Sequence, residues 1–381
     1  MKNRILSLVL MTALLAASAC TSVHRISTKA NVEPLSRGEE FPRVIVTVKD
    51  EAPQVKGKKT EFLGKGSTGW AYLLLPIFPM YLGYAEVDID QPRQDLIAQS
   101  AIKVLAERKI PAAVSGPQAQ ASTSEDDFRL GISLQKLKSF GTGNDDTFIL
   151  IGAIFDYTLF EVDATVGCDL YSPRENRSIW SGSVDSVLRH SSYAFSSINP
   201  GRLFEAAVSK CLEAAKLGER YGAVMEAKAE KAYAEADAAL AAGNYAKARE
   251  RYLYGDSLVR DFNIEARLRA MRGLAAVMKH TSEPPQTEEV KDLLAKGKAA
   301  GKVADNDNER VAMVDYFKKA AELAPWDASI HFKLAASFEE LKAYAAACGE
   351  LKLYLALKDD PAENDRFRSK LAELEMQAAK S

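Results

Sequence analysis

The 381-residue chain reads as an α+β domain, an antiparallel or mixed sheet with flanking helices, followed by an all-α domain of helical repeats. Three observations predict this. Apolar and polar residues alternate along Phe128–Gln135 and again along Val162–Leu170, the two-residue period of half-buried strands. Helical periodicity appears before and after that block, at Gln94–Lys109 and after Pro200. Beyond about Gly222 the composition turns to Ala, Glu, Lys and Leu, and small and aromatic residues recur there at a fixed spacing.

The first strand is expected at Val44-Ile45-Val46-Thr47-Val48, a β-branched run. In Gln94–Lys109, Ile97, Ala101, Val104, Leu105 and Arg108 follow helical spacing, with Pro92 near the start and Pro111 past the end. Thr147–Phe160 is an apolar, strand-like run. Ser172-Pro173-Arg174-Glu175-Asn176 supplies turn chemistry between the alternating segment before it and a second hairpin arm, Ile179–Leu188. Asn199-Pro200-Gly201 opens a closing helix with Leu203, Phe204, Ala207, Val208, Cys211 and Ala215 on one face. Helix, antiparallel strands, then helix is the order of an α+β layer domain.

In the second half, Ala328–Pro361 places Leu334, Ala335 and Phe338 on a first helix, Tyr344 at a turn, and Ala347, Leu351 and Tyr354 on a second helix. Phe317, Ala320 and Pro325 fit the end of a preceding unit, and Gly243, Tyr245, Ala248, Tyr252 and Gly255 fit another. This pattern resembles tetratricopeptide (TPR) repeats, which implies stacked helix pairs of 34 residues. Three features depart from it: Lys342 replaces the inter-helix glycine, His331 stands where tryptophan is common, and Thr281–Glu289 with Pro284-Pro285 interrupts the array.

At the amino terminus, Lys2 and Arg4 precede an apolar stretch, Ile5–Leu15, and small residues Ala17-Ser18-Ala19 precede Cys20. This is the order of a signal peptide, too short to span a bilayer as a helix. A cysteine at the cut resembles a bacterial lipobox, which implies cleavage before Cys20 and acylation of that residue, enough for stable anchoring. Thr21 lacks the aspartate associated with inner-membrane retention, so the resemblance implies an outer-membrane lipoprotein facing the periplasm. The expected organisation is a signal peptide over 1–19, a lipidated flexible tether over 20–40, the α+β domain over 41–221 and the TPR-like repeats over 222–381. The hairpin whose polar turn is followed by Ile179-Trp180-Ser181-Gly182 is similar to that of transport-auxiliary and curli-secretion envelope lipoproteins, which implies an envelope role and assigns no functional residue.

Cleavage leaves 48 basic and 52 acidic residues, a net charge of about −4, which gives no reason to expect nucleic acid as a partner. No later run of about 20 apolar residues offers a membrane span. Cys168 and Cys211 fall in one domain of an exported chain, where disulfides persist, and can pair. Cys348 reads as a buried residue of a helix pair.

Chemistry-bearing motifs are incomplete. Gly64-Lys65-Gly66-Ser67-Thr68-Gly69 lacks the following helix of a phosphate-binding loop and reads as a flexible loop. Asp305-Asn306-Asp307-Asn308-Glu309 lacks the glycine and glutamate of a calcium loop, those positions being Arg310 and Tyr316, and reads as an inter-helix loop. His24, His190, His280 and His331 have no metal-ligand spacing. No cofactor, metal site or catalytic residue is therefore assigned.

Two surfaces remain. Trp70–Tyr84, with Trp70, Tyr72, Leu74, Phe78, Tyr81 and Tyr84 broken by Pro76 and Pro79, either folds over the sheet as core or meets a partner or the membrane interface. In the complete repeat, Ser329, His331, Phe332, Ser337 and Glu339 are candidates for lining a peptide groove. The resulting expectation is a non-catalytic adaptor in envelope assembly or transport. Its partners would be the bilayer, through acylated Cys20, and envelope proteins or peptides. The alternatives are an accessory subunit of a secretion or transport system acting through the amino-terminal domain, and a periplasmic hydrolase with a site assembled from distant residues.

Overall fold

The computed structural model describes residues 22–26, 35, 41–52, 62–70, 81–115, 124–139, 158–192, 199–304 and 306–380. The signal-peptide segment, Cys20, Tyr72, Leu74 and Phe78 lie outside them. The chain divides into two compact units, Met1–Tyr221 and Gly222–Ser381.

The amino-terminal unit comprises β1 (Ser22–Ile26), β2 (Val44–Asp50), β3 (Phe62–Trp70), β4 (Tyr81–Ile89), α1 (Arg93–Glu107), β5 (Ala112–Val114), β6 (Phe128–Ser139), β7 (Thr158–Ser172), β8 (Arg177–Ser192) and α2 (Gly201–Ala214). The strands form one mixed sheet in the order β1-β4-β3-β7-β6-β2-β5, with β8 paired to β7. β2 runs parallel to β5 and β6, while β6, β7 and β8 are successively antiparallel. The alternation read from the sequence sets the covered face. Phe128, Leu130, Ile132 and Leu134 of β6 and Val162, Ala164, Val166, Cys168 and Leu170 of β7 are all buried. Register places Leu130 opposite Leu170 and Ile132 opposite Cys168. Against this side lie α1 and α2, which touch each other and pack on β2, β5, β7 and β8. Their apolar stripes, Ile97, Ala101 and Leu105 on one helix and Leu203, Phe204, Ala207 and Val208 on the other, are buried. Each large aliphatic side chain buried this way contributes roughly 1.5–3 kcal/mol. Where β2 ends and α1 begins, buried Arg93 meets Asp50 at 2.8 Å.

Two expectations are corrected here. The stretch expected as a flexible tether contains β1, which lies parallel to β4 from Ser22 opposite Ala85 to Ile26 opposite Ile89. Val23 and Ile26 have the β-branched character a strand accepts. The stretch Gly64–Gly69, expected as a loop, is part of β3, paired in antiparallel register with β4 and, at Gly66 and Ser67, with β7. Its backbone groups belong to that ladder, not to a cradle for phosphate. Boundaries also move. α1 ends at Glu107 with Lys109 in the left-handed region, and β6 and β8 extend beyond the alternating cores that announced them. Of the run Thr147–Phe160, residues 147–157 lie outside the described residues, and Thr158–Phe160 begins β7.

The carboxy-terminal unit is all helix: α3 (Leu217–Ala241, within which the division between units falls), α4 (Tyr245–Val259), α5 (Ile264–Met278), α6 (Glu288–Val303), α7 (Asp307–Leu323), α8 (Ala328–Glu340), α9 (Tyr344–Lys358) and α10 (Pro361–Ala378). Starts are set by capping side chains that accept from backbone N–H groups two or three residues on: Asn244, Asn263, Thr287, Asn306, Asp327 and Asp360. Between α3 and α4 the chain turns through Gly243, whose φ of 73° suits glycine. Neighbouring helices pair closely, α4 with α5, α6 with α7 and α8 with α9. The α6–α8 region shares a core of Val290, Leu294, Val314, Phe317, Ile330 and Leu334. Unlike a regular solenoid, whose repeats touch only sequential neighbours, α9 packs on α5 as well as on α8 and α10. The proline-containing segment 279–287 follows α5, whose flank is taken by α9.

Candidate functional site

The five residues expected to line one groove separate on α8. Ser329 and Phe332 face outward, and Glu339 is half-buried in an ion pair with Lys370. His331 is fully buried, and Ser337 is buried with its hydroxyl donating to the Lys333 carbonyl at 2.8 Å. The groove assignment of His331 and Ser337 is therefore corrected. Both share the helix face of Ile330, Leu334 and Ala335, so their short polar side chains point into the unit.

What His331 touches is a buried polar chain that crosses four helices. Asp256 of α4, with no exposed surface, accepts from Arg260 at 3.0 Å and from Arg267 of α5 at 3.1 Å. Arg267 also faces Glu350 of α9 at 3.7 Å. Glu350 Oε2 lies 2.7 Å from His331 Nδ1, and His331 Nε2 lies 2.9 Å from the Pro325 carbonyl. Both ring nitrogens thus lie within hydrogen-bond distance of an oxygen atom. Burial pushes the Glu350 carboxyl up, but the His331 hydrogen bond and the charges of His331 and Arg267 outweigh it and hold the group below the usual carboxylate range. Each charge is neutralised by a neighbour, so the chain binds helices together. The sequence carried a signal for it: Asp256 and Arg267 occupy the apolar faces of their helices, beside Tyr252 and Val259 and beside Leu268 and Met271.

Outward, Phe332 is 41% exposed, a large value for phenylalanine. It is braced by Tyr354 of α9 at 5.2 Å and Phe367 of α10 at 5.6 Å between ring centroids. Tyr354 and Phe367 meet edge-on at 5.7 Å, and Arg366 lies over the Phe367 ring. The Tyr354 hydroxyl donates to Glu363 at 2.6 Å, and burial with that carboxylate pushes its pKa up to about 12. Phe332 is exposed and Phe367 half-buried, while Tyr354, which both contact, is buried. A second depression of about 380 Å³, between α5 and α9, is lined by Leu268, Leu355 and Ala356 with Arg272, Lys352 and Asp359.

In the amino-terminal unit, the sheet face opposite the helices carries a shallow trough of about 310 Å³, lined by Thr47, Lys49, Ser133, Gln135, Asp169 and Ser181. Gly131, Gly167 and Gly182 lower its floor. A Cβ on Gly167 would fall 2.1 Å from Gln135 Nε2, so the glycine makes room for that amide. On the covered face Cys168 of β7 and Cys211 of α2 form a disulfide, with their Cα atoms 6.3 Å apart. Cys348 is a buried free thiol.

Trp70 ends β3, and Tyr81 and Tyr84 lie on β4, with Trp70 opposite Tyr81. Asn306 caps α7 by accepting from Glu309 N–H at 3.1 Å, and Asp307 pairs with Arg310 at 3.1 Å. Among the described residues no cluster of His, Cys, Asp or Glu has metal-binding geometry. His280 stacks on Tyr245 at 4.8 Å. No described helix is long and apolar enough to cross a membrane.

No protein-family model matches the chain, and no curated protein matches it. Among solved structures, it is similar to the crystal structure of protein XCC0632 from Xanthomonas campestris (DUF330 family model), at 12% identity over 50% of this chain and 90% of that one, with a TM-score of 0.24. A likeness at that level carries no argument about function.

Proposed function

We propose that this chain is a bacterial lipoprotein, anchored through acylated Cys20 and facing the periplasm, whose TPR-like helical unit holds an envelope protein. The observation that carries the adaptor reading is the half-packed aromatic face of Phe332 and Phe367, braced by buried Tyr354. Rings held rigid by one another but open to water lose little freedom on binding. Aromatic and arginine side chains are also the usual anchors of interfaces. With Arg366 over Phe367, the surface suits a peptide segment bearing an apolar residue flanked by carboxylates. The Cys168–Cys211 disulfide supports an exported chain, because such bonds persist in oxidising compartments.

The test uses the full chain in membranes. Photo-crosslinking from a probe placed at exposed Ala336, one turn from Phe332, should trap a discrete envelope protein. Phe332→Ala with Phe367→Ala should reduce that product at least tenfold, the loss of about 1.4 kcal/mol or more. An unchanged product ends the adaptor reading. The anchor is tested apart: Cys20→Ala should abolish lipid labelling and release the chain from washed membranes.

A second reading, an accessory subunit of an envelope transport system acting through the amino-terminal unit, is favoured by the trough over β6 and β7, where Gly167 leaves Gln135 its place. Partner capture lost on Gln135→Ala but kept with Phe332→Ala would favour it.

A further inference from the structure

Three strands of the amino-terminal sheet have a neighbour on one side only among the described residues: β1, of five residues, β5, of three, and β8, of sixteen. A free side leaves a row of backbone N–H and C=O groups unpaired, and such rows are normally kept short or broken by proline or a bulge. β8 contains no proline, and from Trp180 to Ser192 its register with β7 is unbroken.

Which groups β8 presents follows from the ladder. Phe128 N–H donates to the Arg43 carbonyl and Glu51 N–H to the Leu134 carbonyl, so the even-numbered residues of β6 turn their backbone groups toward β2. The odd ones, Gly131 and Ser133, then face Asp169 and Gly167 of β7. The even residues of β7 in turn face β8 at Trp180, Gly182, Val184, Ser186 and Leu188. That leaves Ser181, Ser183, Asp185, Val187 and Arg189 with their N–H and C=O groups directed outward. Lys210 of α2 agrees, since its Nζ donates to the Asp185 carbonyl at 2.7 Å. A carbonyl oxygen has two lone pairs, so that bond leaves room for a strand N–H.

Side chains of the same row indicate what would pair there. Asp185, Val187 and Arg189 are exposed at alternate positions on one face, Val187 with 49% of its surface in water. If a second β8 paired antiparallel with the first, a two-fold at Asp185 or Arg189 would set a charge against its own copy. A two-fold at Val187 instead sets Asp185 opposite Arg189 of the second copy, twice, with the two valines facing at the centre. Opposite charges directly across strands favour pairing, and like charges oppose it. All three pairs join outward-facing residues, as the hydrogen-bonded pairs of an antiparallel ladder require. Charge alternation then continues across the joint, because Arg189 already pairs with Glu161 of β7 at 2.9 Å and Asp185 accepts from Thr165 at 2.6 Å. On the helix-covered face, Val184 and Leu188 are only half-buried, while Val166 and Val162 opposite them are fully buried. A second strand would cover what β8 leaves open.

We propose that this chain forms a two-fold homodimer in which the β8 strands pair antiparallel about Val187 and join two amino-terminal sheets into one. Neither the lipid anchor nor the aromatic face of α8 and α10 is needed for it.

Sedimentation of the full chain, solubilised with detergent micelles in excess, should show a dimer. Asp185→Arg or Arg189→Asp alone sets two like-charge pairs across the joint and should weaken the dimer at least about tenfold. The double variant, with the charges exchanged, should restore it. Cross-linking reads the register. Val187→Cys should form an interchain disulfide on mild oxidation, because facing Cα atoms of such a pair stand about 5.5 Å apart, within disulfide reach. Ser181→Cys, which this register sets about 12 residues, or about 40 Å, along the strand from its copy, should not. A chain that sediments as a monomer at every concentration, a dimer indifferent to both charge reversals, or equal cross-linking from the two cysteines overturns the pairing. So does a Val187→Cys cross-link to a different protein, which would make β8 the seat of a foreign strand.

Discussion

Glu350 shows how much a single partly buried carboxylate can decide. Its partners are His331 at 2.7 Å and Arg267 at 3.7 Å, and they hold it ionised below the usual carboxylate range against the pull of burial. A folded-state pKa below the unfolded value of about 4.3 contributes stability that is present above that value and is lost as pH falls through the folded one. Replacing it, Glu350→Gln, leaves Arg267 with Asp256 as its remaining counter-charge, a loss of up to about 3–5 kcal/mol at pH 7, the range for a buried pair broken on one side. The gap between the natural chain and the variant should close as the pH is lowered from about 5 to 3. Urea unfolding at a series of pH values measures it, and a gap that stays constant to pH 3 would show that the carboxylate is not ionised in the fold.

Between helices, the recurring device is a glycine under an aromatic ring. An added Cβ at Gly255 of α4 would lie 2.2 Å from the Tyr233 ring of α3. At Gly273 of α5 it would lie 2.3 Å from Tyr252 of α4, and at Gly297 of α6 2.5 Å from Phe317 of α7. Tyr252 cannot swing away freely, because its hydroxyl is bound to Asp237. Alanine improves helix propensity by about 1 kcal/mol, but overpacking costs about 1–3 kcal/mol, and a fixed ring at 2.3 Å favours the upper part of that range. Gly273→Ala should thus lower the melting temperature of the helical unit. In contrast, Gly218→Ala in α3, where a Cβ meets nothing within 4 Å, should be neutral or mildly stabilising. Equal effects of the two substitutions would refute the packing role. The small residues were legible in the sequence as part of a helix-pair repeat. Which ring each glycine admits depended on how adjacent helices meet.

For the molecule as a whole, the clearest asymmetry is covalent. The amino-terminal unit is cross-linked between β7 and α2 by Cys168–Cys211, 43 residues apart, while the carboxy-terminal unit has only the free thiol Cys348. Closing a loop of that length is worth about 4 kcal/mol in the chain-entropy account, within a usual range of about 2–5 kcal/mol for native bonds. A reductant, or Cys168→Ser with Cys211→Ser, should lower the unfolding transition of the amino-terminal unit and leave that of the helical unit in place. Calorimetry with and without reductant reads both, and a uniform shift of the two would contradict independent stabilisation.

Local order was open to reading because its causes are local. The alternation of Phe128–Gln135 and Val162–Leu170 follows from the two-residue period of a strand with one wet face. Pro92 and Pro111 bracket α1 because proline suits a helix start and cannot continue a helix interior. The break near Gly222 reflects a shift to residues that suit helix. What only the tertiary structure decided are pairings between distant stretches. They include β1 beside β4, the glycine-rich Gly64–Gly69 as a ladder strand, Cys168 joined to Cys211, α9 against α5, and the chain from Asp256 to His331. Such partners are chosen by complementary surfaces far apart in the chain, and the same short pattern is compatible with several of them. His331 makes the difference plain: its place on a helix could be read from spacing, but its role as an interior partner of Glu350 required the second helix to be in position.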